Sequence, residues 1–74
     1  MIEAVRGLIV DDEESIRFTL KEALRRVRYV VTTVPSGENV LEVLQDHAFD
    51  VAVVDLNLGG EVHGLDVLEA IRQL

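Results

Sequence analysis

Apolar positions along the chain follow two different spacings, which alternate three times. Short continuous runs of apolar or β-branched residues lie at 5–10, 29–34 and 51–54, as is typical of strands. Apolar residues at helical spacing follow each run, over 15–27, in a second segment that ends by about residue 46, and in a third that begins at Gly64. The pattern predicts the element order βαβαβα.

Residues typical of turns and helix caps separate these segments. Pro35-Ser36-Gly37 ends the second predicted strand, and Ser36 is expected to cap the second helix. The third strand stops at Asp55, and a loop over 56–63 that contains Gly59-Gly60 precedes the last helix. The apolar side of that helix is predicted to consist of Leu65, Val67, Leu68, Ile71 and Leu74.

Strands that alternate with helices through short connections predict a doubly wound α/β fold with a parallel sheet and helices on both faces. The first and third strands are apolar at consecutive positions, so both of their faces are expected to be covered. The second strand contains Thr32 and Thr33 and is predicted to lie at an edge. The simplest strand order is 2-1-3, in which the third strand needs a further neighbour.

Composition indicates a single small acidic domain. The chain has 74 residues, 14 acidic and 7 basic, for a net charge of −7. With no cysteine, no charged leader and no long apolar run, we expect neither secretion nor a membrane span, and therefore a cytoplasmic location. The acidic balance argues against direct nucleic-acid binding, which needs clustered basic residues.

The candidate chemistry lies at the carboxyl ends of the first and third strands, where Asp11, Asp12 and Asp55 follow the apolar runs. Because neighbouring strands are about 4.8 Å apart, the three carboxylates are expected to share one pocket. Like charges at such distances favour a bound cation, and oxygen ligands suit Mg²⁺. The backbone carbonyl of Asn57 is a further ligand candidate, and Asp55 is the best candidate for a nucleophile that forms an acyl phosphate.

An alternative interpretation is that the acidic residues at 11–14 only cap the first helix, whose positive end favours acids. The spacing alone leaves both interpretations open. His63 is expected to be an exposed loop residue and His47 a surface residue after the second helix. Arg25, Arg26 and Arg28 are interpreted as a solvated helix end.

Three segments resemble a known family. They are LIVDDEE at 8–14, FDVAVVDL at 49–56 and GLDVL at 64–68, and together they resemble the receiver domain of response regulators. The resemblance implies a flavodoxin-like sheet of order 2-1-3-4-5, of which residues 1–74 would be a partial domain without the fourth and fifth strands. It also implies that Asp11 and Asp12 bind Mg²⁺, that Asp55 is the phosphoryl acceptor, and that Asn57 contributes its backbone carbonyl.

By the same resemblance, the function is that of a phosphorylatable switch in a two-component system and not of an independent enzyme. Its phosphoryl donor would be a sensor histidine kinase, and its target an output domain or partner that the sequence does not identify. Two positions depart from the family pattern, because Gly59 stands where a proline is usual and Gly64 comes one residue later than the family's glycine. The hydroxyl and lysine that the family's fourth and fifth strands supply would lie beyond residue 74.

Two alternatives come from other functional classes. A haloacid-dehalogenase-like phosphatase also uses an aspartate nucleophile after a strand, but it usually has a second aspartate two residues later, where this chain has Asn57. A degenerate or truncated receiver could act only through association, for example as a homodimer that pairs along the exposed third strand.

Overall fold

The computed structural model describes residues 4–59 and 63–72, and its elements follow the predicted order. They are β1 (Arg6–Val10), α1 (Glu14–Arg26), β2 (Val30–Val34), α2 (Gly37–Asp46), β3 (Val51–Val54) and α3 (Gly64–Arg72). The ends of β1, α1 and β2 differ by at most one residue from the predicted bounds. Gly60 in the predicted loop and Leu74 in the last helix lie outside the described residues.

The three strands form one parallel sheet of order β2-β1-β3, which confirms the predicted topology. Val10, the last residue of β1, is in register with Val34 of β2 and with Val54 of β3. All three strands therefore end at the same level. The first residues after each strand consequently lie along one edge of the sheet.

Helices lie on both faces of the sheet, also as predicted. On one face, α2 and α3 contribute Val40 and Val67 to a core that contains Leu8, Val10 and Val34 of the sheet, together with Leu58 from the loop after β3. On the other face, Leu24 of α1 packs over Gly7, where an added Cβ would lie 3.8 Å from the leucine side chain. Helices consequently cover both faces of the central strand, β1, and Ile9 has no exposed surface.

The expectation that β3 is covered on both faces is wrong for the described residues. Val51 and Val53 are each 38% exposed. The register places them beside Gly7 and Ile9, on the face that carries α1. Since α1 packs against β1 and β2, it does not reach across to β3. One face of β3 and its outer edge are therefore open within the part of the chain that the structure describes.

None of the described helices is long and apolar enough to cross a lipid bilayer.

Helix α1 ends in a left-handed turn at Arg28, whose φ is 69°. The N–H of Arg28 donates to the carbonyl of Arg25 at 2.9 Å, and that of Tyr29 donates to the carbonyl of Leu24 at 3.1 Å. This is the Schellman pattern, in which glycine is the usual left-handed residue. The turn leads into β2, and its left-handed residue is an arginine, which has a Cβ, and not a glycine.

Replacing Arg28 with glycine is expected to stabilise the chain by about 1 kcal/mol, since the left-handed conformation costs an L-residue roughly that amount. Denaturant unfolding followed by circular dichroism measures the change. Arg28→Ala is the matched control, because it removes the same side chain but keeps the Cβ. Equal stability of the glycine and alanine variants would contradict this account of the turn.

Helix α3 begins in close contact with the end of β3. A Cβ at Gly64 would lie 2.5 Å from the Cα of Leu56 and nearer still to the carbonyl oxygen of Asp55. The backbone of α3 can approach the β3 end this closely only because residue 64 has no side chain. Gly64 therefore allows the start of α3 to pack directly against the backbone of Asp55, the residue after β3.

Gly64→Ala is expected to destabilise the chain by about 2 kcal/mol, as overpacking does when the neighbouring atoms belong to the backbone. Gly59→Ala is the control in the same connection, because its Cβ would meet only a carboxylate oxygen of Asp12, at 3.8 Å. We expect the control to change stability by less than about 0.5 kcal/mol. Thermal melts of the two variants should separate clearly, and coincident melts would show that the contact at Gly64 is unimportant.

Candidate functional site

Three carboxylates meet at the edge where β1 and β3 end. The sheet hydrogen bonding continues one residue beyond each strand, since the N–H of Asp11 donates to Val34 at 3.2 Å and that of Asp55 donates to Val10 at 2.9 Å. Asp12 follows Asp11 in the β1–α1 turn. One oxygen from each of the three side chains lies within 4.8 Å of the others. The structure thus brings together the three acids that the sequence analysis selected.

Two of the three carboxylates are oriented in the same way. Oδ1 of Asp11 accepts a hydrogen bond from the N–H of Glu13, and Oδ1 of Asp55 accepts one from the N–H of Asn57, each at 2.9 Å. Both are turns in which an aspartate binds the backbone two residues later. Among the described residues neither Oδ2 has a hydrogen-bond partner. Each side chain is therefore fixed through one oxygen, with the other available to a ligand.

Asp12 differs from its two neighbours. Its side chain is exposed and forms no hydrogen bond with any residue in the described ranges. Its Oδ2 lies 3.8 Å from the place where a Cβ of Gly59 would be, so the β1–α1 turn and the loop after β3 approach each other at this point. The position of Asp12 thus depends on the backbone of its own turn.

The charges at this edge are not neutralised by basic side chains. Arg25 and Glu22 form an ion pair on α1, and no described lysine or arginine forms an ion pair with Asp11, Asp12 or Asp55. Like charges at these separations repel one another, and a cation among them removes the repulsion. The ligand atoms are all oxygens, which is the set that Mg²⁺ prefers, and the exposure of Asp12 leaves room for coordinated water. The residues present therefore fit a magnesium ion.

Capping hydrogen bonds of α1 do not account for Asp11 and Asp12. The N-cap of α1 is Glu13, whose side chain forms no capping hydrogen bond. The carboxylate of Asp11 binds the N–H of Glu13, one residue before the helix begins, and Asp12 binds no described backbone group. Ser36, by contrast, has its predicted role, because its side chain accepts a hydrogen bond from the N–H of Asn39 at the start of α2.

The contacts of the two histidines stabilise local structure. His63 is exposed as expected, but its Nδ1 lies 3.1 Å from the carbonyl oxygen of Leu58 and its N–H donates to Oδ2 of Asp66 at 3.1 Å. It therefore fastens the start of α3 to the loop after β3. His47 is exposed after α2, where its ring meets that of Phe49 edge-on at 6.2 Å between ring centres. None of these three contacts indicates catalytic chemistry.

One residue close to the site was missed by the sequence analysis. Helical spacing places Arg17 away from the apolar positions of α1 and gives it no role at the site. In the structure it is half-buried, and its Nη1 donates to the carbonyl oxygen of Asp11 at 2.8 Å. Periodicity assigns a residue to a helix face but does not say where a long side chain ends. No signal in the sequence pointed to this hydrogen bond.

Comparison with known proteins gives a consistent result. The model of the response regulator receiver domain matches residues 8–74. The alginate biosynthesis transcriptional regulatory protein AlgB of Pseudomonas aeruginosa is 42% identical over 67 residues, which are 90% of this chain and 15% of AlgB. The chain spans about a tenth to a quarter of the length of curated relatives such as the regulatory proteins RpfC and VirG.

Solved structures show the same fold. A CheY-like receiver domain from Methylobacillus flagellatus matches with a TM-score of 0.89 and 29% identity, over 97% of this chain and 60% of that one. The response regulator TrrA of Thermotoga maritima, in complex with Mg²⁺-BeF, matches with a TM-score of 0.86 and 36% identity, over 93% and 59%. TrrA has also been solved in complex with the histidine kinase ThkA.

The predicted fold class is thereby confirmed, as a flavodoxin-like sheet of which this chain contains three strands. The family match covers nearly the whole chain, and it includes both strand ends at which the acids converge. This chain belongs to the family of response regulator receiver domains, the phosphorylated modules of two-component signalling.

Proposed function

We propose that Asp55 is the phosphoryl acceptor of this receiver, and that it shares a magnesium site with Asp11, Asp12 and the backbone carbonyl of Asn57. Receiver domains as a family accept phosphoryl groups and bind Mg²⁺ where they do so. The observation that carries the proposal for this chain is the approach of three carboxylates to within 4.8 Å at two adjacent strand ends.

The arrangement distinguishes Asp55 from the other two acids. Asp11 and Asp12 are neighbours in one turn, so together they supply oxygens from one side of the site. Asp55 comes alone from the opposite strand and is half-buried, with Oδ1 held by the N–H of Asn57. A nucleophile benefits from such restraint, because a fixed carboxylate presents its second oxygen to phosphorus without a search for the reactive orientation.

The reaction would transfer a phosphoryl group from a phosphohistidine to this chain. An oxygen of the Asp55 carboxylate attacks phosphorus and forms an acyl phosphate, while the P–N bond breaks. The electron pair of that bond stays with the imidazole nitrogen, which takes up a proton from solvent. A bound Mg²⁺ would supply charge neutralisation between the carboxylates and the incoming phosphoryl oxygens.

The partner that fits this chemistry is a sensor histidine kinase, as in the complex formed by TrrA and ThkA. We infer a cytoplasmic location and a signalling role without independent enzyme turnover, with the output carried by another domain or protein. The expectation that this segment does not contact nucleic acid directly rests on its net charge of −7. Pairing of a second copy along the open edge of β3 stays a prediction, supported by the exposure of Val51 and Val53.

Phosphorylation by a small donor tests the assignment of Asp55. After incubation with acetyl phosphate and Mg²⁺, intact-mass spectrometry of the chain is expected to show one added phosphoryl group, and Asp55→Asn is expected to show none. Asp50→Asn is the matched control at the opposite end of β3, where the Asp50 side chain accepts from the N–H of Arg6. This control should be labelled like the wild type. A label that persists in Asp55→Asn would contradict the proposal.

A further inference from the structure

The peptide that joins Asp11 to Asp12 lies between two regular hydrogen-bond patterns. The N–H of Asp11 still belongs to the sheet, through the carbonyl of Val34. The hydrogen bonds of α1 begin later, with the N–H of Arg17 donating to the carbonyl of Glu13 at 3.1 Å. Among the described residues, the carbonyl oxygen of Asp11 therefore accepts no backbone hydrogen bond from the sheet or from α1.

The side chain of Arg17 donates a hydrogen bond to this carbonyl oxygen. Its Nη1 donates to the Asp11 carbonyl oxygen at 2.8 Å, in a contact that is partly buried. Hydrogen bonds from a charged donor are short and strong, and partial burial protects this one from competition by water. Arg17 thus fastens the first turn of α1 to the end of β1, across six residues.

This contact acts on the peptide group at which the backbone of Asp12 begins. The carbonyl of Asp11 and the N–H of Asp12 belong to the same planar peptide group, so a donor that fixes the carbonyl also fixes where the Asp12 backbone begins. Asp12 has no side-chain hydrogen bond within the described ranges. The hydrogen bond from the N–H of Glu13 to Oδ1 of Asp11 closes a turn around this peptide, and the contact from Arg17 is the one made directly to its carbonyl oxygen.

We propose that Arg17 is a positioning residue of the acidic site, and that it holds the Asp11–Asp12 peptide in the orientation that directs Asp12 towards Asp11 and Asp55. The inference rests on the proposed metal role of these acids. It gives Arg17 a role that its charge alone does not predict, since a cation near the site opposes the binding of a second cation.

The positive charge of Arg17 opposes Mg²⁺ binding, whereas its positioning of the acids favours it. One substitution therefore distinguishes the two effects. Arg17→Gln removes a positive charge, and electrostatics alone would then strengthen Mg²⁺ binding. If Arg17 positions the acids, the same change weakens Mg²⁺ binding, by about tenfold as is typical when a residue that orients metal ligands is lost. Titration calorimetry of the 74-residue chain with Mg²⁺ measures the affinity.

Two further variants complete the experiment. Arg26→Gln, at the exposed end of the same helix, makes the same change in net charge and is expected to bind Mg²⁺ like the wild type. Arg17→Lys keeps the charge and one donor, and it is expected to recover most of the affinity. An Arg17→Gln variant that binds Mg²⁺ as tightly as the wild type, or more tightly, would overturn the proposal.

A measurement without metal keeps this test independent of the proposed function. In ¹⁵N-edited spectra of the metal-free chain, the amide of Asp12 is expected to shift strongly in Arg17→Gln and little in Arg26→Gln. This result would support the positioning role even if Asp55 failed to accept a phosphoryl group. An unchanged Asp12 amide in a folded Arg17→Gln chain would contradict it.

Discussion

The site depends on the parallel pairing of β1 with β3. Val10 lies opposite Val54, so the residues after both strands emerge at one level, about one strand spacing apart. A slip of one residue would reverse the faces of every side chain on β3, so that Val51 and Val53 would replace Ala52 and Val54 against the core. The packing of Leu8, Val10, Ala52 and Val54 against α2 and α3 therefore also fixes the distance between the acids. Hydrophobic burial in the sheet is what holds three negative charges together.

Local hydrogen bonds then refine the positions that the register sets. Asp11 and Asp55 each bind the backbone two residues later, and each does so through one carboxylate oxygen. Gly64 lets α3 start directly against the backbone of Asp55, so the loop after β3 is anchored at its far end. His63 adds a contact to Leu58, whose buried side chain belongs to the core. The three acids thus lie at the ends of paired strands, and local hydrogen bonds fix the side chains of Asp11 and Asp55.

The strands and the location of the acids could be predicted, because buried strands are continuous apolar runs in the sequence and end in an abrupt change to polar residues. Continuous apolar runs located β1 and β3, and the abrupt change to aspartate located the site. The exposure of Val51 and Val53 could not be predicted, because it depends on which strands α1 covers and not on the composition of β3. The left-handed turn at Arg28 was hidden because the usual signal there is glycine. The contact of Arg17 was hidden because helical spacing does not show how far a flexible side chain reaches.

The convergence of Asp11, Asp12 and Asp55 favours one divalent-cation site at the ends of β1 and β3. The most direct measurement is a Mg²⁺ titration followed residue by residue in ¹⁵N-edited spectra, with Asp12→Ala for comparison. We expect shift changes confined to amides 11–13 and 55–59, with a single saturating affinity that is weaker in Asp12→Ala. Shifts spread over the acidic surface of the helices, or equal binding by the variant, would contradict it.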